Sequence, residues 1–222
     1  TNSQTSYIIK TSDGLRLIDM TFERTAPWIA KAIESQGFKL SDIKILLGSH
    51  SHADHVGGMA WFMERAPQAK TMIMDADAAI LEKGAIGRNG LVSIRPVKAD
   101  RILKDGDKIT LGETTLTAWK TAGHTQGATS FEWTQMENGK SYNVVLVGSQ
   151  FTAIEGYPGV KEDQIKTWNR YLSLHPDVWV GGHTWQHSQM AKYEAMKANP
   201  GTNPFIDPQG YLELIAARSE EF

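Results

Sequence analysis

Ile43-Lys44-Ile45-Leu46-Leu47 runs through Gly48-Ser49 into His50-Ser51-His52-Ala53-Asp54-His55, and Val56-Gly57-Gly58 follows. The apolar run reads as a buried strand. The six residues after it carry three imidazoles and a carboxylate, each of which needs a polar partner if buried. Alternate side chains of an extended chain point the same way, so His50 and His52 share a face. Asp54 and His55 turn the corner and reach a second position beside the first. Imidazole and carboxylate are the ligands a divalent zinc ion takes where no thiolate is available, and this chain has no cysteine. A cluster spaced in this way can serve two adjacent metals.

Two further histidines stand in the same kind of setting. His124 lies in Ala122-Gly123-His124-Thr125-Gln126-Gly127, after the strand-like Thr114–Ala118, and His183 follows Val178-Trp179-Val180-Gly181-Gly182. Each reads as strand, small residues, histidine. Ligands at the ends of separate strands converge on one edge of a layered fold. His175 precedes Pro176-Asp177 in a loop, and His187 precedes a helix starting near Ser188. Both are expected to lie outside the metal shell.

The series His-x-His-x-Asp-His, Gly-His-Thr-x-Gly and a late Gly-His resembles the metallo-β-lactamase superfamily from about residue 6 to the C-terminus. The resemblance implies an αββα sandwich, two facing mixed sheets with outer helices, and one domain over 1–222. Most members other than the lactamases end the strand between the last two histidine sites in Gly-Asp, the aspartate bridging the metals. Here that strand, Asn143–Val147, ends in Gly148-Ser149. Serine there, with all six other ligands kept, resembles the third subclass of class B β-lactamases. The resemblance then implies two Zn2+. His50, His52 and His124 hold one; Asp54, His55 and His183 hold the other. A metal-activated hydroxide opens the β-lactam ring, with Asp54 as ligand and orienting base. By looser analogy Ser149 and Thr152 bind the substrate carboxylate. Two alternatives stay open: another hydrolase of the superfamily, such as a lactonase or thioesterase, and a non-catalytic metal-binding domain.

The 222 residues are 41% hydrophobic, enough for a core, and 23 basic against 25 acidic residues are spread along the chain. No basic run points to nucleic acid, and no apolar stretch reaches membrane-spanning length. The expected partner is a small β-lactam, met by a monomer without nucleic acid or membrane. Periplasmic or secreted placement, and a role in antibiotic resistance, follow from the resemblance alone. The resemblance also implies an N-terminal arm and one or two strands ahead of Ser6–Lys10, which this numbering does not contain.

Hydrophobic periodicity and turn residues place strands at Ser6–Lys10, Leu15–Asp19, Ile43–Leu47 and Thr71–Met74. A second block comprises Arg101–Leu103, Lys108–Leu111, Thr114–Ala118, Ser130–Trp133 and Asn143–Val147, with Val178–Val180 last. Helices are expected at Pro27–Gln36, Gly58–Arg65, Ala76–Lys83, Gln164–Leu174, Gln189–Ala198 and Gly210–Arg218. Gly84–Pro96 shows no period and is expected as a mobile loop or short helix over the site.

Overall fold

A computed structural model describes residues 3–87, 90–148 and 156–218. Twelve strands and seven α-helices follow in chain order. The first sheet draws on β1 (Tyr7–Thr11), β2 (Gly14–Ile18), β3 (Ile43–Leu47), β4 (Lys70–Met74) and β7 (Arg101–Leu103). The second draws on β8 (Asp107–Leu111), β9 (Thr114–Lys120), β10 (Thr129–Glu137), β11 (Lys140–Val147) and β12 (Val178–Gly181). A separate hairpin joins β5 (Ala85–Ile86) to β6 (Val92–Ile94). The helices are α1 (Ala26–Ser35), α2 (Ala53–Val56), α3 (Met59–Arg65), α4 (Asp75–Lys83), α5 (Val160–Ser173), α6 (Gln189–Ala198) and α7 (Pro208–Arg218).

The first sheet runs β1-β2-β3-β4-β7 and the second β12-β11-β10-β9-β8. Both are mixed. In the first only β1–β2 is antiparallel; in the second only β11–β12 is parallel. The period of two in β11 shows how the layers arise. Val144 and Leu146 face the other sheet, among Ile18, Ile45, Leu47, Met72 and Phe131. Val145 and Val147 point outward, onto Tyr171 of α5 and Tyr211 and Ile215 of α7. On the outer face of the first sheet, Leu15, Leu17 and Leu46 meet Ala30, Ile33, Phe62 and Leu81 from α1, α3 and α4. Helices, sheet, sheet and helices make the expected αββα sandwich.

Arg16 occupies an inner-face position of β2 and is fully buried. Its Nη2 donates to the carbonyls of Ile109 (3.3 Å), Leu111 (3.2 Å) and Thr114 (2.5 Å) in the β8–β9 hairpin of the facing sheet. Burial pulls its pKa down to about 10.

Two expectations need correction. Arg101–Leu103 was grouped with the second block of strands, but it pairs in parallel with β4 and closes the first sheet. Its three residues carry no marker of sheet membership; the parallel register Met72↔Arg101 to Met74↔Leu103 decides it. Gly84–Pro96 is neither loop nor helix throughout, since Ala85↔Ile94 and Ile86↔Val92 pair as a hairpin. Strands of two and three residues are too short to show a period. Among the described residues no helix is long and apolar enough to cross a membrane.

Candidate metal centre

The sandwich brings the C-terminal ends of β3, β9 and β12 to one edge. His50 and His52 leave β3 on a loop that enters α2, whose single turn carries Asp54 and His55. His124 follows β9, and His183 follows β12. The six side chains form two groups. His50, His52 and His124 make one, Asp54, His55 and His183 the other, and the ligand atoms of each lie within 4.8 Å of one another.

The first group is a triangle of rings. All three centroid separations are 4.8 Å, with planes inclined by 81°, 87° and 81°. Buried His50 Nε2 has no hydrogen-bond partner among the described residues. Ser49 Oγ donates to Asp19 Oδ2 (2.8 Å), which leaves a lone pair for the Nδ1–H of His50 at 3.1 Å. The free Nε2 then points its own lone pair inward. Burial, and then the neighbouring His55, His124 and His52, hold the His50 pKa well below its ordinary value. Burial and then His124 lower that of His52. Three imidazoles facing one another, one of them with a buried and unpartnered nitrogen, are what a cation needs, so the residues fit a metal.

The second group contains a carboxylate. Asp54 Oδ2 lies 3.7 Å from His55 Nε2 and 3.8 Å from His183 Nε2. Burial would raise the pKa of Asp54, but His55 and the Gln4 amide outweigh it and leave it lowered. His183 is lowered by burial and then by His55. His55 goes the other way. Burial would depress it, yet the charge and hydrogen bond of Asp19, with Asp54, raise it. The rings of His50 and His55 are 3.9 Å apart, so the two groups adjoin.

Several supporting residues were not legible in the sequence. Asp19, fully buried at the end of β2, accepts from Ser49 N–H (2.8 Å), Ser49 Oγ and the Nδ1–H of His55 (2.7 Å). This fixes the His55 tautomer and turns Nε2 inward. A buried aspartate closing an apolar strand was the signal available. Gln4 Nε2 donates to Asp54 Oδ2 (3.3 Å), and Ser3 Oγ lies 3.2 Å from His183 Nδ1. Trp185 stacks on His183 at 5.9 Å, and Gln186 Oε1 accepts from His183 N–H. Gly182 lets this loop close on His55: a Cβ there would lie 2.8 Å from His55 Cε1.

Neither remaining histidine joins a group. His175 is exposed, and its carbonyl accepts from Asn143. His187 is buried, and its Nδ1 accepts from Gly181 N–H at 3.2 Å. Ser149 and Thr152 lie outside the described residues. A cavity of about 350 Å3 opens on both groups, bounded by Gly148, Gly182, Trp185 and Gln186. Another of about 440 Å3 adjoins His52 and His124, lined by Ile80, Ile94, Gln126 and Tyr157.

The model of the family described as "Metallo-beta-lactamase superfamily" matches residues 1–135. The chain belongs to this superfamily. Its solved structural neighbours include subclass B3 metallo-β-lactamases. BJP-1 of Bradyrhizobium japonicum is 33% identical with a TM-score of 0.90, over 99% of this chain and 86% of that one. FEZ-1 of Legionella gormanii is 31% identical with a TM-score of 0.92, over 100% and 88%. The di-zinc enzyme LRA-12 from an Alaskan soil metagenome is 31% identical with a TM-score of 0.87, over 99% and 86%. Among curated sequences, the uncharacterized protein YobT of Bacillus subtilis is 29% identical over 56% of this chain and 54% of its own length. A hydroxyacylglutathione hydrolase of Rhodopseudomonas palustris is 33% identical over 45% of this chain and 31% of its own. The chain thus spans about half the length, or less, of these curated relatives. With the fold of this superfamily, the chain has the two groups of ligand-type side chains, three histidines and an aspartate with two histidines, that a dinuclear metal site needs.

Proposed function

We propose that this chain is a zinc-dependent β-lactamase of subclass B3, acting on small β-lactams as a monomer in the periplasm or outside the cell. Nucleic acid and membrane have no part in this reading. One observation carries it: likeness across nearly the whole chain to subclass B3 enzymes at 31–33% identity, with both ligand groups complete. Serine at 149, in place of a bridging aspartate, supports the same reading.

His50, His52 and His124 would hold one zinc and Asp54, His55 and His183 the other. Zinc bound there would supply Lewis acidity at a carbonyl and lower the pKa of a water toward neutrality. The chain's own residues prepare for this. Crowding and burial keep His50, His52 and His183 neutral, the state in which imidazole binds a cation. Asp54, kept ionised, accepts a hydrogen bond from the attacking water at a carboxylate oxygen and orients it. Trp185 and Gln186 line one side of the cavity. Ser149 and Thr152 hold the substrate carboxylate.

The test is turnover of a chromogenic cephalosporin beside an acyl-homoserine lactone and a glutathione thioester, with zinc present. Cephalosporin hydrolysis well above the other two is expected. Preference for the thioester would favour the second reading, which the hydroxyacylglutathione hydrolase relative supports. No turnover of any of the three with both metals bound would favour a metal-binding domain without catalysis.

A further inference from the structure

Asp77, in the first turn of α4, is buried and donates nothing to the metal groups, yet it touches both loops that carry the three-histidine triangle. Its Oδ2 accepts from Ser51 N–H at 2.7 Å, between His50 and His52. The same oxygen accepts from Thr125 Oγ1 at 2.8 Å, one residue after His124. Its Oδ1 accepts from Gly127 N–H at 2.9 Å. The approach is so close that a Cβ at Gly127 would lie 2.5 Å from Asp77 Cγ, which explains the glycine that ends the His124 motif. One backbone bond, Thr129 N–H to Ser49 O at 2.8 Å, also joins the loops.

We infer that Asp77 is the positioning residue of the His50, His52 and His124 group, setting the separation of its rings and so the affinity of the metal they hold. The inference rests on reading that triangle as one half of a dinuclear metal site. The chemistry requires an acceptor at both carboxylate oxygens, because two backbone N–H groups and a hydroxyl point at them from separate loops. An asparagine has one acceptor oxygen. Whichever way its amide is turned, its NH2 faces a backbone N–H, so either the Ser51 bond to the His50–His52 loop or the Gly127 bond to the His124 loop is lost. Partners behind metal ligands typically contribute ~10–100-fold in metal affinity.

The experiment is cobalt(II) titration of chelator-stripped full-length chain, read by visible absorption and by paramagnetically shifted histidine ring protons. Three imidazoles mark the first group and two the second, so the shifted signals identify which metal has weakened. Asp77→Asn should weaken the three-histidine metal ~10–100-fold and leave the other nearly unchanged. Asp77→Glu should recover part of that loss. Thr125→Val, which removes a single hydroxyl, should weaken the same metal by a smaller factor, and Thr125→Ser should restore it. Folded Asp77→Asn with unchanged cobalt affinity, or with both metals weakened equally, overturns the inference. Where Asp77→Asn fails to fold, Thr125→Val decides, and unchanged affinity there overturns it. Wild-type chain taking up fewer than two equivalents overturns instead the dinuclear reading on which the inference stands.

Discussion

The two halves of the centre are built on opposite principles. The half formed by His50, His52 and His124 contains only imidazoles, and Asp77 stands behind its loops, touching backbone and a hydroxyl. The half formed by Asp54, His55 and His183 has a carboxylate among its own ligand atoms and a second, Asp19, bonded directly to His55. Charge is thus concentrated on one side. In the first half burial, and then the neighbouring imidazoles, hold the pKa values of His50 and His52 down, while the second half offers negative charge to a cation. The second is also held by distant parts of the chain. Ser3 and Gln4 reach over His183 and Asp54, and Thr5 donates through its N–H to Gly182 and through its hydroxyl to Gly181.

The largest effect should come from Asp54. Chelation of both metals should abolish turnover, and restored zinc should return it. Asp54→Asn, with zinc in excess, should lower kcat by ~10² or more, since the group both binds and orients. Near-normal turnover with both metals retained would remove Asp54 from the chemistry.

Next is Asp19→Asn, which takes an acceptor from Ser49 and His55. Cobalt affinity of the Asp54, His55 and His183 group should fall ~10–100-fold, with the other group less affected. Equal losses in both would break the asymmetry drawn above.

Ser149→Ala sharpens the comparison at the position where other members of the superfamily carry a bridging aspartate. A lost hydrogen bond to substrate predicts about 1–2 kcal/mol in kcat/KM, with both metals kept. Loss of a metal in that variant would make the serine a ligand.

The smallest effect is on stability. Burial and then Lys192 push the His187 pKa down to about 4, against about 6.5 in an unfolded chain. Between these values the unfolded chain binds the extra proton. His187 therefore lowers stability as pH falls from about 6.5 to about 4, and carries no such penalty above 6.5. His187→Gln keeps an acceptor for Gly181 N–H without the titration. Thermal unfolding of metal-free protein from pH 4 to 7 should show a shallower acid limb than wild type; parallel limbs would discount the residue.

The strands and the two groups of ligand-type side chains were legible because their physics is local. β3 is an unbroken apolar run, and four ionisable side chains in the six residues after it have few other uses. Asp19 and Asp77 were not legible, because each looks like an ordinary residue of its own element, and only the tertiary fold shows what it holds. The same applies to Ser3 and Gln4, which act on residues 50 and 180 positions away. Arg101–Leu103 went to the wrong sheet because three residues carry no register, and the β5–β6 hairpin was missed because its strands are shorter than one period.

The ligand residues come from both sheets: β3 of the first leads to four of them, β9 and β12 of the second to the other two. A metal bound there fastens the two sheets as a clasp, and the unfolded chain has no such clasp. By mass action, a metal held only by the folded form at one hundred times its Kd adds about 2.7 kcal/mol to stability. Metal scarcity would therefore reach this protein in two ways. It would silence the site, and it would raise the fraction of molecules open to proteolysis, so that the survival of the protein depends on its metal supply.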